Sequence, residues 1–114
     1  MAGYLTTHVL DTARGTPAKG LKIELFLVTD GRREQRAELI TNADGRTDRP
    51  ILPEPVFALG DYELVFHAGD YLRAIGQPDG FLNIIPIRFS MNEMSHYHVP
   101  LLLSPFGFST YRGS

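Results

Sequence analysis

The chain has 114 residues, 43% hydrophobic and 21% charged, with a formal charge of -2, eleven glycines, eight prolines and no cysteine. That is the chain length and composition of one soluble globular domain, read here as spanning residues 1–114, with no excess of base for phosphate backbones and so no nucleic-acid partner expected. Without thiols, disulfides, thiolate chemistry and cysteine zinc sites are excluded, which leaves His, Asp and Glu as metal ligands. The start, "MAGYLTTHVLD", has no basic segment leading into an apolar run, and no stretch of ~18 apolar residues occurs, so the expectation is a soluble, cytoplasmic protein with no membrane partner.

Between the glycines and prolines the pattern alternates with period two, the spacing of strands and not of helices. The first candidate runs from Leu5 to Leu10, with Leu5, Thr7 and Val9 on one face and Thr6, His8 and Leu10 on the other. "TARGTPAKG" reads as turn. "LKIELFLVT" is the first core strand: Leu21, Ile23, Leu25 and Leu27 share a face opposite Lys22 and Glu24, although Phe26 and Val28 blur the outer side. "DGRRE" reads as turn, Ala37 to Thr41 as a weaker strand, and "NADG" as a tight turn in which Asp44-Gly45 delivers Arg46 at a rigid position. A short strand is expected around Thr47 to Ile51. "DYELVFHA" sets Tyr62, Leu64 and Phe66 against Glu63, Val65 and His67, and "DYLRAIG" is the one expected helix, Asp70 to Gly76, capped by Asp70 and stopped by Gly76. "IPIRFSM" places Ile85, Ile87, Phe89 and Met91 on one face. In the closing "HYHVPLLLSPFGFSTYRGS", residues 96–103 form a strand with Tyr97, Val99, Leu101 and Leu103 inward and His96, His98, Pro100 and Leu102 outward. After "SPFG", Phe106, Phe108 and Thr110 keep the apolar parity. About eight short strands and one helical turn predict an all-β fold, a two-sheet antiparallel β-sandwich.

The outward face of that last stretch, His98, Pro100, Leu102, Ser109 and Tyr111, carries no charge before Arg112. Such a patch marks a subunit interface or a ligand groove, so oligomerisation through this sheet is expected. His67 reads as an ordinary surface residue, and His8, taken alone, as a partly buried structural histidine. His96 and His98 lie two apart on a strand and project the same way. Two chemistries compete for these groups. His8, His96 and His98 could form a three-histidine zinc site with an open position for water. Metal-free hydrolysis needs an imidazole that accepts a proton near neutral pH, a second polar group to hold the water, and a cation facing the developing charge. His8, His98 and Arg46 supply that set, while the plain reading of Arg46 is a solvated hairpin residue.

Over essentially its whole length the sequence resembles the transthyretin-related proteins that act as 5-hydroxyisourate hydrolases in purine breakdown. The likeness is carried by "LTTHVLDTARGTPAKG", "NADGR", "GDYELVFHAGDY" and the last nineteen residues, whose ending Tyr-Arg-Gly-Ser is the family's signature. The resemblance implies a two-sheet sandwich of eight strands with a short helix, assembled as a homotetramer, a dimer of dimers around a central channel. It implies 5-hydroxyisourate as the small-molecule substrate, ring opening to 2-oxo-4-hydroxy-4-carboxy-5-ureidoimidazoline, and no metal or organic cofactor. It also implies sites in the channel lined by His8, Arg46, His98, Tyr111, Arg112, Gly113 and Ser114, with His8, Arg46, His98 and Ser114 as the catalytic set and His96 outside it. The contrasting reading is a non-enzymatic carrier of the hormone-binding transthyretin type. By the same resemblance, those carriers replace the first-strand histidine with lysine and the second histidine of the His-Tyr-His triplet with threonine, and they lose the tetrapeptide; this sequence keeps all three features. Zinc-dependent hydrolysis of a cyclic amide is the third reading.

Overall fold

Alternating side chains become paired strands in the computed structural model, which describes residues 3–113. The described residues form β1 (Tyr4–Asp11), β2 (Thr16–Pro17), β3 (Lys22–Thr29), β4 (Arg32–Ile40), β5 (Gly60–His67), α1 (Ala68–Ala74), β6 (Ile84–Met91), β7 (His96–Ser104) and β8 (Gly107–Thr110), with a 3-10 turn at Glu54–Val56. Two four-stranded sheets, ordered β2-β1-β7-β8 and β4-β3-β5-β6, face each other as the expected sandwich. Leu5, Val9, Leu101 and Leu103 from one sheet meet Ile23, Leu25, Leu64 and Phe66 from the other, all fully buried. At roughly 1.5–3 kcal/mol for each large apolar side chain removed from water, this layer is the main source of stability. No described helix is long and apolar enough to cross a membrane.

One strand pair departs from the antiparallel expectation: β1 and β7 run parallel, Tyr4 opposite His96 through Asp11 opposite Leu103. A parallel pair needs a long crossover, and here the whole second sheet lies between the two strands in sequence. Other departures have local causes. The strand expected from Ala37 already begins at Arg32, because Asp30 and Gly31 both take positive φ (51° and 78°) and close a two-residue hairpin. No strand forms at 47–51; Arg46 and Leu52 instead touch β1 by single bridges to His8 and Leu5. Pro50 and Pro53 lack the N–H that a ladder would need. The helix stops as expected, with Gly76 in the left-handed region (φ 73°), but it starts at Ala68, and Asp70 pairs with Arg73 within it instead of capping it.

The outer face of β5 is also less exposed than its parity suggested. Glu63 is 7% exposed beneath Arg33 and Arg88, whose guanidiniums lie 2.7 and 3.0 Å from its carboxylate. His67 is no ordinary surface residue. Its Nε2 lies 2.7 Å from Glu24 Oε1 across the sheet, and its side chain is 16% exposed.

Candidate active site

The parallel register of β1 and β7 sets Tyr4 opposite His96, Thr6 opposite His98, and His8 opposite Pro100. Since alternate residues share a face, Thr6, His8, His96 and His98 all stand on the outer side of this sheet. The rings of His8 and His98 stack with centroids 5.8 Å apart and planes 19° from parallel. Thr6 Oγ1 lies 2.8 Å from His98 Nδ1 and 2.6 Å from His96 Nε2. His96 in turn stacks on Tyr4, with centroids 4.1 Å apart and planes 6° from parallel.

Arg46 reaches this group because its turn is locked to β1. Asn42 Oδ1 accepts the backbone N–H groups of Asp44 (2.9 Å) and Arg46 (3.2 Å), and the Asn42 N–H donates to the Arg46 carbonyl at 2.7 Å. Gly45 O accepts the Val9 N–H at 2.8 Å, which brings the turn against the strand beside His8. Only glycine suits that point: its φ is +73°, and a Cβ there would sit 2.4 Å from the Val9 carbonyl oxygen. A cavity of about 160 Å³ lies alongside, lined by Thr6, Arg46, Thr47, Asp48 and Arg49 among others.

Electrostatics favour neutral imidazoles. Burial, and after it the Arg46 guanidinium, push the His8 pKa below its ordinary value. His98 is pushed the same way by burial, then by Arg46, and then by the other two imidazoles. Both rings therefore hold a lone pair at neutral pH, as a base must. His8 Nδ1 is buried and has no hydrogen-bond partner among the described residues.

The tail divides. The Gly113 N–H donates to the His98 carbonyl at 2.7 Å, and a Cβ on Gly113 would come within 2.6 Å of His98 Cδ2. Tyr111 and Arg112 line a separate groove of about 390 Å³, together with Ile87, Phe89, Tyr97 and Val99. The Arg112 guanidinium sits 4.2 Å over the Tyr97 ring and 3.6 Å from Glu93. Tyr97 and His98 are neighbours on β7 and so point to opposite faces; within one chain Arg112 stands apart from the imidazoles. Ser114 lies outside the described residues. Among the described residues, His8, His96 and His98 do not converge as a metal ligand set. The structure thus brings together His8, Arg46, His98 and Gly113 from the expected residues and adds Thr6, which the sequence reading placed on the right face but gave no role.

Gly113→Ala tests this packing. The added methyl must displace the His98 ring, and a shift of that size, if His98 takes part in the reaction, costs up to ~100-fold in rate. The expected result is a ten- to hundredfold lower kcat with an unchanged melting temperature. Unchanged kinetics would show that Gly113 leaves His98 where it is.

A family model described as the HIUase/Transthyretin family matches residues 5–113. The chain is 56% identical to 5-hydroxyisourate hydrolase 2 of Rhizobium meliloti (strain 1021), over 99% of this chain and 98% of that protein. Among solved structures, 5-hydroxyisourate hydrolase of Klebsiella pneumoniae superimposes with a TM-score of 0.82 at 37% identity, covering 98% of this chain and 94% of that one. Sea bream transthyretin, solved in complex with thyroxine, gives a TM-score of 0.87 at 28% identity, over 96% of this chain and 93% of its own. A match that takes in β1 with His8, the Arg46 turn and β7 with His98 leaves one assignment: the chain belongs to the HIUase/Transthyretin family.

Proposed function

We propose that this protein hydrolyses 5-hydroxyisourate to 2-oxo-4-hydroxy-4-carboxy-5-ureidoimidazoline without a metal or organic cofactor. The observation that carries the reading is the pair of imidazoles 5.8 Å apart, both biased towards the neutral form, beside the Arg46 turn on a sheet face whose own side chains are uncharged. The relatives named 5-hydroxyisourate hydrolase support the choice of substrate.

In this mechanism His8 and His98 hold a water, and one of them takes its proton as the oxygen attacks a ring carbonyl. Arg46 attracts the anionic substrate and faces the negative charge that grows on the attacked carbonyl oxygen. The carbon–nitrogen bond then breaks. The leaving ring nitrogen takes the proton back from the imidazolium, and the carbonyl carbon becomes the new carboxylate. Gly113 belongs to the proposed pocket as lining, Tyr111 and Arg112 would join it from a neighbouring subunit because within one chain they line the separate groove, and Ser114 is proposed to hydrogen-bond the substrate or an imidazole.

The site is completed by assembly. A cavity of about 160 Å³ is small beside the ~300 Å³ or more of usual ligand pockets. The sheet face around it presents Leu10, His96, His98 and Leu102, all half-buried and uncharged, and a second copy laid across that face would enclose the substrate. This supports the homotetramer, with the sites where two dimers meet; the cytoplasmic placement is part of the same proposal.

The test is to add purified protein to freshly generated 5-hydroxyisourate and follow the decay of its absorbance. Catalysed decay far above the spontaneous rate is expected. Decay at the spontaneous rate, with the protein folded and assembled, would overturn the assignment.

A further inference from the structure

The hydroxyl of Thr6 stands between two rings that the hydrolytic mechanism does not treat alike. It lies within hydrogen-bond distance of His98 Nδ1 (2.8 Å) and His96 Nε2 (2.6 Å), and it carries a single proton. With both rings neutral it can donate to only one of them and must accept an N–H from the other, so the protonation patterns of the two histidines are tied together. If Thr6 donated to His98, the remaining His98 nitrogen, Nε2, would carry a proton and could not act as a base. If Thr6 donates to His96, His98 holds its proton on Nδ1 and turns a bare Nε2 outward.

We propose that Thr6 is a positioning residue for His98: its hydroxyl accepts the His98 Nδ1–H and donates to His96 Nε2, which leaves His98 Nε2 as the base. The proposal rests on the hydrolase reading and deepens it by choosing between the two imidazoles. It also gives the positive charge that arises at His98 a place to rest until the leaving ring nitrogen takes the proton from His98 Nε2 and the relay runs in reverse. When His98 Nε2 takes a proton from water, the Nδ1–H bond breaks as a new O–H bond forms on Thr6, while the original Thr6 O–H bond breaks as an N–H bond forms on His96 Nε2. His98 ends neutral with its proton on Nε2, and the positive charge rests on His96.

Two features favour that transfer. His96 lies two strand positions, ~7 Å, further along the sheet than His98 from the point where the Arg46 turn bridges to His8, so the charge moves away from a guanidinium. The ring it reaches is stacked 4.1 Å from the face of Tyr4, and an aromatic face stabilises a cation. The same stack holds His96 Nε2 against Thr6. Neither residue touches the substrate in this scheme; both act through His98.

The experiment compares the wild type with Thr6→Val, Thr6→Ser and His96→Phe. Valine keeps the branched shape without the hydroxyl, serine restores the hydroxyl, and phenylalanine keeps the stack without the ring nitrogen. Removal of such a supporting hydrogen bond typically costs ~10- to 100-fold, so Thr6→Val should lose that much in kcat with KM little changed, and Thr6→Ser should recover most of it. His96→Phe should fall between them. Independently of activity, nitrogen-15 spectra of the imidazoles should show His98 protonated on Nδ1 in the wild type and losing that preference in Thr6→Val. Full kcat in Thr6→Val, or a wild-type His98 protonated on Nε2, would overturn the proposal. A wild type that fails to hydrolyse 5-hydroxyisourate would instead sink the hydrolase reading, and the tautomer measurement alone would then decide the role of Thr6.

Discussion

Replacing His98 with glutamine is expected to lower turnover of 5-hydroxyisourate by ~100-fold or more, the usual worth of a positioned general base. Glutamine keeps a polar side chain of similar reach but cannot take up a proton. His98 is only half-buried on the outer face of its sheet, so the sandwich core is untouched and the fold should survive with an unchanged melting temperature. His8→Gln is expected to be severely impaired as well, since its ring stacks on His98 at 5.8 Å and would form the other wall of the proposed water site. Full turnover in either variant would remove that histidine from the mechanism.

The pH profile follows from the same two rings. Each has its pKa held below the ordinary imidazole value of ~6.5, first by burial and then by Arg46. The base is lost when it is protonated, so the acid limb of kcat/KM should lie below ~6.5 and the rate should persist as pH falls to that point. A limb above 6.5 would contradict the assigned environment.

Arg46→Met is the second large effect. Removing the cation proposed to face the developing oxyanion should cost ~100- to 1000-fold in kcat/KM, the range seen when one such stabilising group is lost. It should also move the acid limb upward, because a positive neighbour no longer opposes protonation of His8 and His98. The limb should still fall short of an unperturbed histidine, since burial is the larger cause of both shifts and stays in place. Arg46→Lys keeps the charge but not the planar fork, and should leave the limb in place while losing part of the rate. A limb unmoved in Arg46→Met would mean that the guanidinium does not reach the imidazoles.

Much of the site was legible in the sequence because strand parity is local. The alternation around His8 and around His98 placed both rings on outer faces, and Asp44-Gly45 marked the turn that presents Arg46; Gly45 does take positive φ. What failed were inferences from side-chain pattern where backbone chemistry decided. The stretch Asp30 to Glu34 read as turn throughout, yet the Asp30-Gly31 hairpin starts the ladder at once, and an Asp-Gly pair was the available signal. The short strand expected around Thr47 to Ile51 does not form, because Pro50 within it and Pro53 after it lack the N–H that a ladder needs. His67 looked solvated because nothing local announces that Glu24, on another strand, lies beside it.

By itself the sequence determined which way each side chain faces and where the chain turns, because a period of two and a left-handed φ are properties of neighbouring residues. Only the tertiary structure decided who the neighbours are. The pairing of β1 with β7 joins residues about ninety positions apart, and its parallel register is what sets Thr6 between His96 and His98 and His8 beside His98. Alternation would be equally satisfied by an antiparallel pairing or by another partner strand. What selects this one is burial of the two apolar faces against each other, summed over the whole sandwich, and from that choice come the distances on which the chemistry depends.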